Sequence, residues 1–254
     1  MKISIITVVW NNINTINDTI NSVLSQNYNN IEHIVIDGGS TDGTLSLLRS
    51  RRDQLSALVS EPDDGIYDAM NKGIELAKGE VIGFLNSDDF YFNNEVISKV
   101  AREFTKDQFL EANYADLIYV DQIDTSKIIR YFKSSEFKQG LFLKGWCPPH
   151  PTFFVRKSVY KRYGNFNLNY NLASDVDIMM RFLEKYRIKS LYTPEIWVKM
   201  RMGGVSNKNL KNIWLQNKEI LNSFYKNGLK VNPIAFFVYK IISRFQQYIK
   251  KQIQ

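Results

Sequence analysis

The chain has 254 residues, of which 44% are hydrophobic, and a formal net charge of +7. A chain of this length and apolar content can bury one substantial core, which excludes a wholly disordered polypeptide and favours a single α/β domain with a tail. The single cysteine, Cys147, excludes an internal disulfide framework, and no Cys/His cluster predicts a structural zinc site. These features fit a reducing compartment. The N-terminus lacks a small-residue cleavage site, so we expect a first strand there and not a signal peptide.

The first half of the chain alternates between strand-like and helix-like patterns. A β-branched run over residues 3–9 predicts a strand buried on both faces. Helical spacing follows it up to residue 24. Further strands are predicted at 31–36, 55–60 and 81–85, with helices at 44–52 and 65–78. Such alternation implies a parallel sheet with helices on both faces, in which ligands bind beyond the carboxyl ends of the strands.

The second half is less regular. Strands are predicted at 116–121, 128–132, 152–155 and 188–192, and a helix at 175–186. Polar or acidic loops follow three strands of the first half, at Asn11-Asn12, at Asp37 and at Asp88-Asp89. The sequence therefore predicts that the functional site lies at these strand ends.

The Gly-rich loop after the second strand does not match a phosphate-binding motif. Residues 38–43 read Gly-Gly-Ser-Thr-Asp-Gly, which fits neither G-x-G-x-x-G nor G-x-x-x-x-G-K-[ST]. Asp37 stands where a carboxylate accepts hydrogen bonds from a nucleoside in dinucleotide-binding folds. The alternative is that Asp37 only ends the strand and that Asp42-Gly43 forms a turn. Spacing alone does not decide between the two.

Asp88 and Asp89 form a pair of adjacent carboxylates on the turn after the fourth strand. Their mutual repulsion is relieved by a cation, and hard oxygen ligands suit Mn²⁺ or Mg²⁺. Such a metal would neutralise charge on a leaving diphosphate. The alternative is a solvated loop in which Asp88 caps a helix that begins near Asn93.

Five successive segments resemble the motifs of family 2 glycosyltransferases. They include Asp-Gly-Gly-Ser-Thr-Asp-Gly-Thr at 37–44 and Asn-Ser-Asp-Asp at 86–89, and together they span 5–11, 35–44, 60–73, 77–80 and 84–89. The resemblance implies the GT-A fold, an α/β fold whose mixed, mainly parallel sheet is flanked by helices. It also implies a nucleotide-diphosphate sugar donor and inversion at the anomeric carbon.

The resemblance assigns roles on the donor side. Thr7 and Asp37 match positions that hold the uracil and the ribose. Asn71 and Lys72 match a helix that closes over the nucleotide. In the metal-binding motif this chain has Ser-Asp-Asp where Asp-x-Asp is common. Asp89 is therefore the expected metal ligand, while Asp88 binds the metal or faces the donor ribose or sugar.

The resemblance also places a general base at the start of a helix in the second half, and we assign it to Asp175. An inverting transfer needs a carboxylate that takes the proton from the acceptor hydroxyl. The first turn of a helix favours the ionised form. Ser174 and Asp177 have capping-box spacing, so Asp177 is expected to serve the helix end.

Two further residues are candidates. His150 follows Pro148 and Pro149 and precedes Pro151. It stands where relatives place a histidine on the acceptor or diphosphate side, although a lone histidine is more often structural. Arg201 opens a segment, 201–206, that resembles one ordered over the donor, and it is expected to meet the diphosphate. His33 precedes a buried strand and is expected only to pack.

The C-terminal residues carry the positive charge. From Val205 onward nine Lys or Arg stand against one Glu, so the rest of the chain is close to neutral. Apolar residues recur at helical spacing, and basic ones interrupt them: Ile234, Phe237, Val238, Ile241, Ile242, Phe245, Tyr248 and Ile249, with Lys240, Arg244, Lys250 and Lys251. This pattern is too charged to span a bilayer but suits an anionic leaflet. The alternatives are a packed helix with a wet basic face and, less favoured, nucleic-acid binding.

These observations predict a domain at 1–205, with a nucleotide-sugar half (1–113) and an acceptor half (114–205), followed by a helical tail at 206–254. The third motif resembles enzymes of O-antigen and other surface-polysaccharide synthesis. It implies transfer from UDP-glucose or UDP-galactose, through a β-linkage, to a lipid-linked sugar of the undecaprenyl-diphosphate type. The expected location is cytoplasmic, peripheral on the inner face of the bacterial plasma membrane.

Two other functions are alternatives to this one. A nucleotide- or polysaccharide-binding subunit without activity would bind the nucleotide but not turn it over. A sugar nucleotidyltransferase would need a Gly-rich, basic loop near the N-terminus, and residues 11–14, Asn-Asn-Ile-Asn, are not such a loop.

Overall fold

Four parallel strands form the first half of the sheet in the computed structural model, which describes residues 1–203 and 210–249. In the sheet, β1 lies between β2 and β4, and β3 pairs with the outer side of β2. The elements of this half are β1 (Ile3–Val9), α1 (Ile16–Leu24), β2 (Ile31–Asp37), α2 (Thr44–Ser50), β3 (Ala57–Ser60), α3 (Ile66–Leu76) and β4 (Val81–Phe84). Every residue of β1 is buried, which explains why this strand shows no polar alternation.

The second half extends the same sheet with mixed pairing. Its elements are β5 (Phe90–Tyr91), α4 (Val96–Lys106), β6 (Ala112–Val120), β7 (Ile128–Phe132), β8 (Phe154–Arg156), α5 (Lys157–Tyr163), α6 (Ser174–Met180) and β9 (Ser190–Arg201). The strand order is β3-β2-β1-β4-β8-β6-β9-β5, with β7 on β6. β8 runs antiparallel to β4 and β6, whereas β6 and β9 form a long parallel ladder. The predicted mixed, mainly parallel sheet is confirmed.

Helices cover both faces of the sheet. On one face, Ile6 of β1 packs in a core with Met70 and Ile74 of α3. A Cβ added at Gly73 would lie 2.4 Å from Cγ2 of Ile6, so only glycine lets α3 lie this close to β1. On the other face, Ile3 packs with residues of α4. The close fit of α3 matters because this helix carries part of the candidate site.

Two helices follow the sheet, α7 (Leu210–Lys226) and α8 (Pro233–Ile249). α7 buries Ile220 and Phe224 in the same core as α6, and α8 adds Phe236 to it. Among the described residues, no helix is long and apolar enough to cross a membrane. The predicted domain limit at 205 falls outside the described residues, and so do Lys250 and Lys251 of the predicted basic face. The division into two halves and a tail stays a prediction.

Several boundaries differ from the predicted ones. The helix expected at 175–186 ends at Met180 and continues as a π-helical turn, Arg181–Lys185. The strand expected at 188–192 runs from Ser190 to Arg201, and its last residue, Arg201, reaches the turn that follows β4. The sequence reading did not identify β5, α5 or α7. The first two are short, with two and seven residues.

Candidate active site

Side chains cross-link the loops that follow β1, β2 and β4. The backbone N–H of Asn11 donates to the Ser40 hydroxyl at 2.8 Å, and the amide of Asn12 donates to the Ser87 hydroxyl at 2.9 Å. Asn11 has a φ of 48°, in the left-handed region that asparagine tolerates better than most residues. The three polar strand ends predicted to form the site therefore lie together.

Asp37 is fully buried at the end of β2. Its carboxylate accepts a hydrogen bond from the Ser60 hydroxyl at 2.6 Å and from the backbone N–H of Ser40 at 3.2 Å. Thr7 is also fully buried, and its hydroxyl lies 3.1 Å from Nε2 of His33. The Thr7 side chain thus contacts His33 of the neighbouring strand β2 and is closed off from solvent. Burial lowers the pKa of His33 to about 4, so the ring is neutral.

Two residues near Asp37 were missed as candidates from the sequence. Trp10 follows β1 directly and is 69% exposed. A Cβ added at Gly38 would lie 3.5 Å from Cδ1 of Trp10 and 3.0 Å from Oδ2 of Asp63, so the three residues meet at one point. A tryptophan directly after a buried strand, at the edge of the sheet where ligands bind, was the sequence signal that could have identified this surface.

Asn71 and Lys72 are both engaged within the protein. The amide of Asn71 donates to the backbone oxygen of Phe166 at 3.0 Å and accepts from its N–H at 2.9 Å. The Lys72 ammonium lies 2.6 Å from Asp63, 2.9 Å from Glu61 and 3.2 Å from Asp68. The hydrogen bond to Asp63 is the main cause that raises the pKa of Lys72. In this conformation Lys72 fixes Asp63 beside Gly38.

Asp89 is fully buried in the turn after β4. Oδ2 accepts a hydrogen bond from the Asn86 amide at 2.9 Å, whereas Oδ1 is buried with no hydrogen-bond partner. Burial, and secondarily the neighbouring carboxylate of Asp88, raises the pKa of Asp89 well above its ordinary value. Burial likewise raises the pKa of Asp88. An unsatisfied carboxylate oxygen next to a second carboxylate fits a divalent cation.

The described residues contain no group of three or more His, Cys, Asp or Glu side chains that could hold a metal. A pair of carboxylates is still enough for Mg²⁺, which completes its shell with substrate phosphates and water. The alternative role for Asp88 as a helix cap is wrong, because α4 begins at Val96 with Glu95 at its N-cap.

Arg201 contacts the loop that carries the two aspartates. It forms an ion pair with Asp18 of α1 at 2.6 Å and donates to the backbone oxygen of Asp88 at 2.8 Å. Its side chain is buried, and its guanidinium lies 5.0 Å from the ring centroid of Phe90. Arg201 therefore holds the loop in place from the end of β9. Residues 204–206 of the segment expected to order over the donor lie outside the described residues.

Asp175 lies in the first turn of α6 and receives a hydrogen bond from the Tyr67 hydroxyl at 3.1 Å. His150 lies in the same region, because its ring and the ring of Tyr67 both contact Phe166, each at a centroid distance of 5.6 Å. Burial lowers the pKa of His150, and the Asp175 carboxylate opposes this shift. The His150 ring stacks on Phe84, the last residue of β4, at a centroid distance of 5.4 Å. Asp175, His150 and the strand that leads to Asp88-Asp89 thus form one contiguous region.

The predicted capping box at the start of α6 is wrong. The Ser174 hydroxyl donates to the backbone oxygen of Asn167 at 3.0 Å and does not cap the helix. Asp177 pairs with Arg181 at 3.0 Å, and it accepts hydrogen bonds from the Ser223 hydroxyl of α7 and, at 3.2 Å, from the side-chain amide of Asn227 just after α7. Asp177 therefore fastens α7 to α6, a role that spacing within one helix cannot reveal.

Comparison with known proteins gives a family match. The model of a family described as "Glycosyl transferase family 2" matches residues 4–164. A "PGL/p-HBAD biosynthesis glycosyltransferase" of Mycobacterium bovis is 29% identical over 192 residues, which cover 74% of this chain and 72% of that protein.

Solved structures of low sequence identity share the fold. Staphylococcus aureus TarS superposes with a TM-score of 0.65 at 16% identity, over all of this chain and 46% of that one. A 1–349 form of TarS has been solved in complex with UDP-GlcNAc. The mannosyltransferase PcManGT from Pyrobaculum calidifontis, in complex with GDP-Man and Mn²⁺, has a TM-score of 0.64 at 18% identity, over 98% and 69% of the two chains. This chain spans less than half of the TarS chain.

Proposed function

Since the chain belongs to glycosyl transferase family 2, we propose that it transfers a hexose from a UDP-sugar to a lipid-linked diphosphate sugar, with inversion and formation of a β-glycosidic bond. UDP-glucose and UDP-galactose are the proposed donors, and O-antigen or another surface polysaccharide is the proposed product. The observation that carries the proposal is the contact between Tyr67 and Asp175, which lies in the same region as Phe84, the last residue of the strand before the aspartate turn.

The surface formed by Trp10, Gly38 and Asp63, next to the buried Asp37, supports the proposal of nucleotide binding. An exposed indole offers a face on which a base can stack, and such stacking tolerates different bases. A carboxylate accepts hydrogen bonds from ribose hydroxyls or from an N–H on the base edge. Uracil presents such an N–H, and the UDP-GlcNAc complex of TarS supports UDP. Guanine also presents one, so the GDP-Man complex of PcManGT makes GDP the nucleotide to test against UDP.

Asp89 and Asp88 are the residues proposed to hold Mn²⁺ or Mg²⁺. When bound, the metal would supply positive charge against the diphosphate as it leaves. The partnerless Oδ1 of Asp89 and the raised pKa values of both carboxyl groups support this assignment. Arg201, which contacts the Asp88 backbone, is proposed to set the position of the aspartates and to meet the diphosphate only if it leaves Asp18.

Asp175 is the proposed general base. As the acceptor oxygen attacks the anomeric carbon, the bond from that carbon to the diphosphate oxygen breaks, and the hydroxyl proton passes to the Asp175 carboxylate. The Tyr67 hydroxyl occupies one lone pair of Oδ1 and so fixes the orientation of the carboxylate. His150 is proposed to line the acceptor side, where its stacking on Phe84 holds the ring.

The lipid-linked acceptor is proposed from the third motif, Gly-Ile-Tyr-Asp-Ala-Met-Asn-Lys-Gly at 65–73, and from the basic C-terminal helices. Such an acceptor would be met at the inner face of a bacterial plasma membrane. Four exposed lysines on and after α7 would favour a surface of anionic lipid.

Release of UDP by the purified protein tests the proposal. A panel of UDP-sugars and GDP-mannose is supplied with Mn²⁺, with or without EDTA, together with a synthetic lipid-diphosphate sugar. We expect nucleotide release with one donor, dependent on both metal and acceptor. Metal-independent release would contradict the metal assignment. Nucleotide binding without release from any donor and acceptor pair would instead favour a binding subunit.

A further inference from the structure

The exposed side of α8 is more apolar than a free helix surface. Phe236 is buried against the core, so this direction faces the protein. Ile234, Val238, Ile241 and Ile242 recur at i, i+4, i+7 and i+8 and thus share the opposite face, where they are 77%, 50%, 56% and 48% exposed. We call these four residues the α8 stripe. A contiguous apolar stripe on the outside of a protein marks a surface that another molecule covers.

The neighbouring helix α7 shows a different exposed face. Lys211, Trp214 and Lys218 recur at i, i+3 and i+7, all three are exposed, and the Lys218 ammonium lies 5.3 Å from the Trp214 ring centroid. Lys226 and Lys230 are exposed as well. The two helices are adjacent, because Lys240 of α8 donates to the Asn217 side chain of α7 at 2.7 Å.

The described residues of α7 and α8 include no exposed acidic side chain. Glu219 is the only acidic residue between 206 and 254, and it is buried, where it accepts hydrogen bonds from the backbone N–H groups of Asn171 and Leu172 at 3.0 and 2.8 Å. The exposed lysines of α7 therefore have no carboxylate of their own helix pair at the surface. A molecule that covers the α8 stripe and also matches the charge of these lysines must therefore be negatively charged.

A second copy of this chain does not match that charge. In a symmetric dimer the same patch lies on both sides of the interface, so the lysines of both copies would be brought together without carboxylates of these helices to pair with them. An anionic lipid leaflet provides both halves of the match, with acyl chains for an apolar stripe and headgroups for lysines. Exposed tryptophan and tyrosine side chains, as at Trp214, Tyr225 and Tyr239, suit the boundary between the two.

We propose that the α8 stripe lies in the headgroup and acyl boundary of an anionic leaflet and that the lysines of α7 attract the protein to it. The helix lies along the surface, with its Phe236 side still packed on the protein. This inference deepens the proposed function by naming the surface through which a membrane-bound acceptor is met. It rests on that function only for the identity of the acceptor, because binding to lipid needs no sugar transfer.

Flotation of the full chain with lipid vesicles tests the proposal. The vesicles contain phosphatidylcholine alone or with about one third phosphatidylglycerol, and they contain no acceptor. We expect binding to the anionic vesicles only, weakened at high salt because screening acts on the lysines. The double variant Val238→Glu/Ile241→Glu should bind at least about tenfold more weakly, since it removes two apolar side chains from the boundary. Replacing Lys211 and Lys218 by Gln should weaken binding about fivefold for each lysine.

Phe109→Glu is the matched control, because Phe109 is an 81% exposed apolar side chain in the turn between α4 and β6. It adds one negative charge at a distant exposed site, whereas the double variant adds two, and it should leave vesicle binding unchanged. Circular dichroism and nucleotide binding show that each variant is folded, so a failure of the lipid proposal is separate from a failure of sugar transfer. Equal binding to neutral and anionic vesicles, or no binding to either, would overturn the proposal. A dimer in sedimentation that the double variant dissociates would assign the stripe to a second copy.

Discussion

The hydroxyl of Tyr67 donates a hydrogen bond to Oδ1 of Asp175 at 3.1 Å, across 108 positions of sequence. Tyr67 lies on α3, beside the loop that carries Asp63, whereas Asp175 lies in the first turn of α6, in the second half of the chain. Burial, aided by the Asp175 carboxylate, raises the pKa of Tyr67 well above its ordinary value, so the hydroxyl stays a donor at any working pH. The contact therefore joins the donor half of the proposed site to its base.

Tyr67→Phe removes this hydrogen bond and keeps the ring. A hydrogen bond to a charged group contributes about 1.5–3 kcal/mol, so we expect kcat to fall at least about tenfold while the affinity for UDP is unchanged. The phenylalanine ring retains the stacking of Tyr67 on Phe166, at 5.6 Å, which keeps the fold. Steady-state kinetics and UDP titration provide the two readouts. A variant with normal kcat would show that the contact only packs.

Asp175→Asn should retain UDP binding and lose transfer, because the amide cannot take a proton from the acceptor hydroxyl. Asp177→Asn is the matched control two residues further along α6. Asp177 is 2% exposed and pairs with Arg181, so its loss should lower the free energy of unfolding by about 3 kcal/mol. Denaturant unfolding and transfer assays on both variants separate the roles. Substantial transfer by Asp175→Asn would move the base to another residue.

The sequence predicted the donor half of the fold better than the contacts within it. Continuous apolar runs such as Ile3–Val9 are local signals, and the strands they predict are present. The partners of Lys72 and Asn71 are not local in this sense. From the sequence alone, Lys72 is as well suited to bind a phosphate as to bind carboxylates. The packing of the loop before α3 brings Glu61 and Asp63 to Lys72, beside Asp68 on the helix itself.

The C-terminal helices illustrate the same limit. Spacing predicts an amphipathic helix after Pro233, but it groups Phe237 with Ile234 and Val238 on one apolar face. The structure divides this face, since Phe237 packs against the core while the other two are exposed. Which side of such a helix meets the protein depends on the shape of the surface beneath it, which the helix sequence does not contain.

Trp10→Ala tests the proposed nucleotide surface. Loss of base stacking costs about 1–3 kcal/mol, so we expect the dissociation constant for UDP to rise about five- to hundredfold. The protein should remain as stable as before, because the Trp10 side chain is 69% exposed. Phe109→Ala, at another exposed aromatic residue, should change neither property. Calorimetric titration measures the affinity, and an unchanged value for Trp10→Ala would move the base away from this residue.

His33 should make folding sensitive to mild acid. Burial lowers its pKa to about 4 in the folded protein, whereas an unfolded histidine titrates near 6.5. The unfolded state thus binds a proton first, and stability that is fully present above pH 6.5 is lost as the pH falls toward 4. Between pH 7 and pH 5 we expect a loss of about 2 kcal/mol in denaturant unfolding. His33→Gln should remove most of this loss, and an equal loss in that variant would assign it to other groups.

Asp89 should reverse that dependence in the metal-free protein. Its pKa is raised in the folded state, so the folded protein holds a proton that the unfolded chain has released. The free energy of unfolding should then fall as the pH rises from the ordinary carboxyl range through the raised pKa of Asp89. Added Mn²⁺ should restore the lost stability, more strongly at pH 8 than at pH 6, because the metal competes with the proton.

Asp89→Asn removes this titrating group, so the part of the pH dependence that is due to Asp89 and the stabilisation by Mn²⁺ should both be lost. The smaller part that is due to the raised pKa of Asp88 should remain. Asp89→Ala should abolish transfer while the fold is kept. Thermal unfolding with Mn²⁺ or EDTA at the two pH values measures the first effect without any assay of activity. Stabilisation by Mn²⁺ that survives in Asp89→Asn would place the metal on other ligands. Undiminished transfer by Asp89→Ala would contradict the metal assignment. It would show that the reaction needs no metal bound by Asp89, whose Oδ1 has no hydrogen-bond partner in the protein.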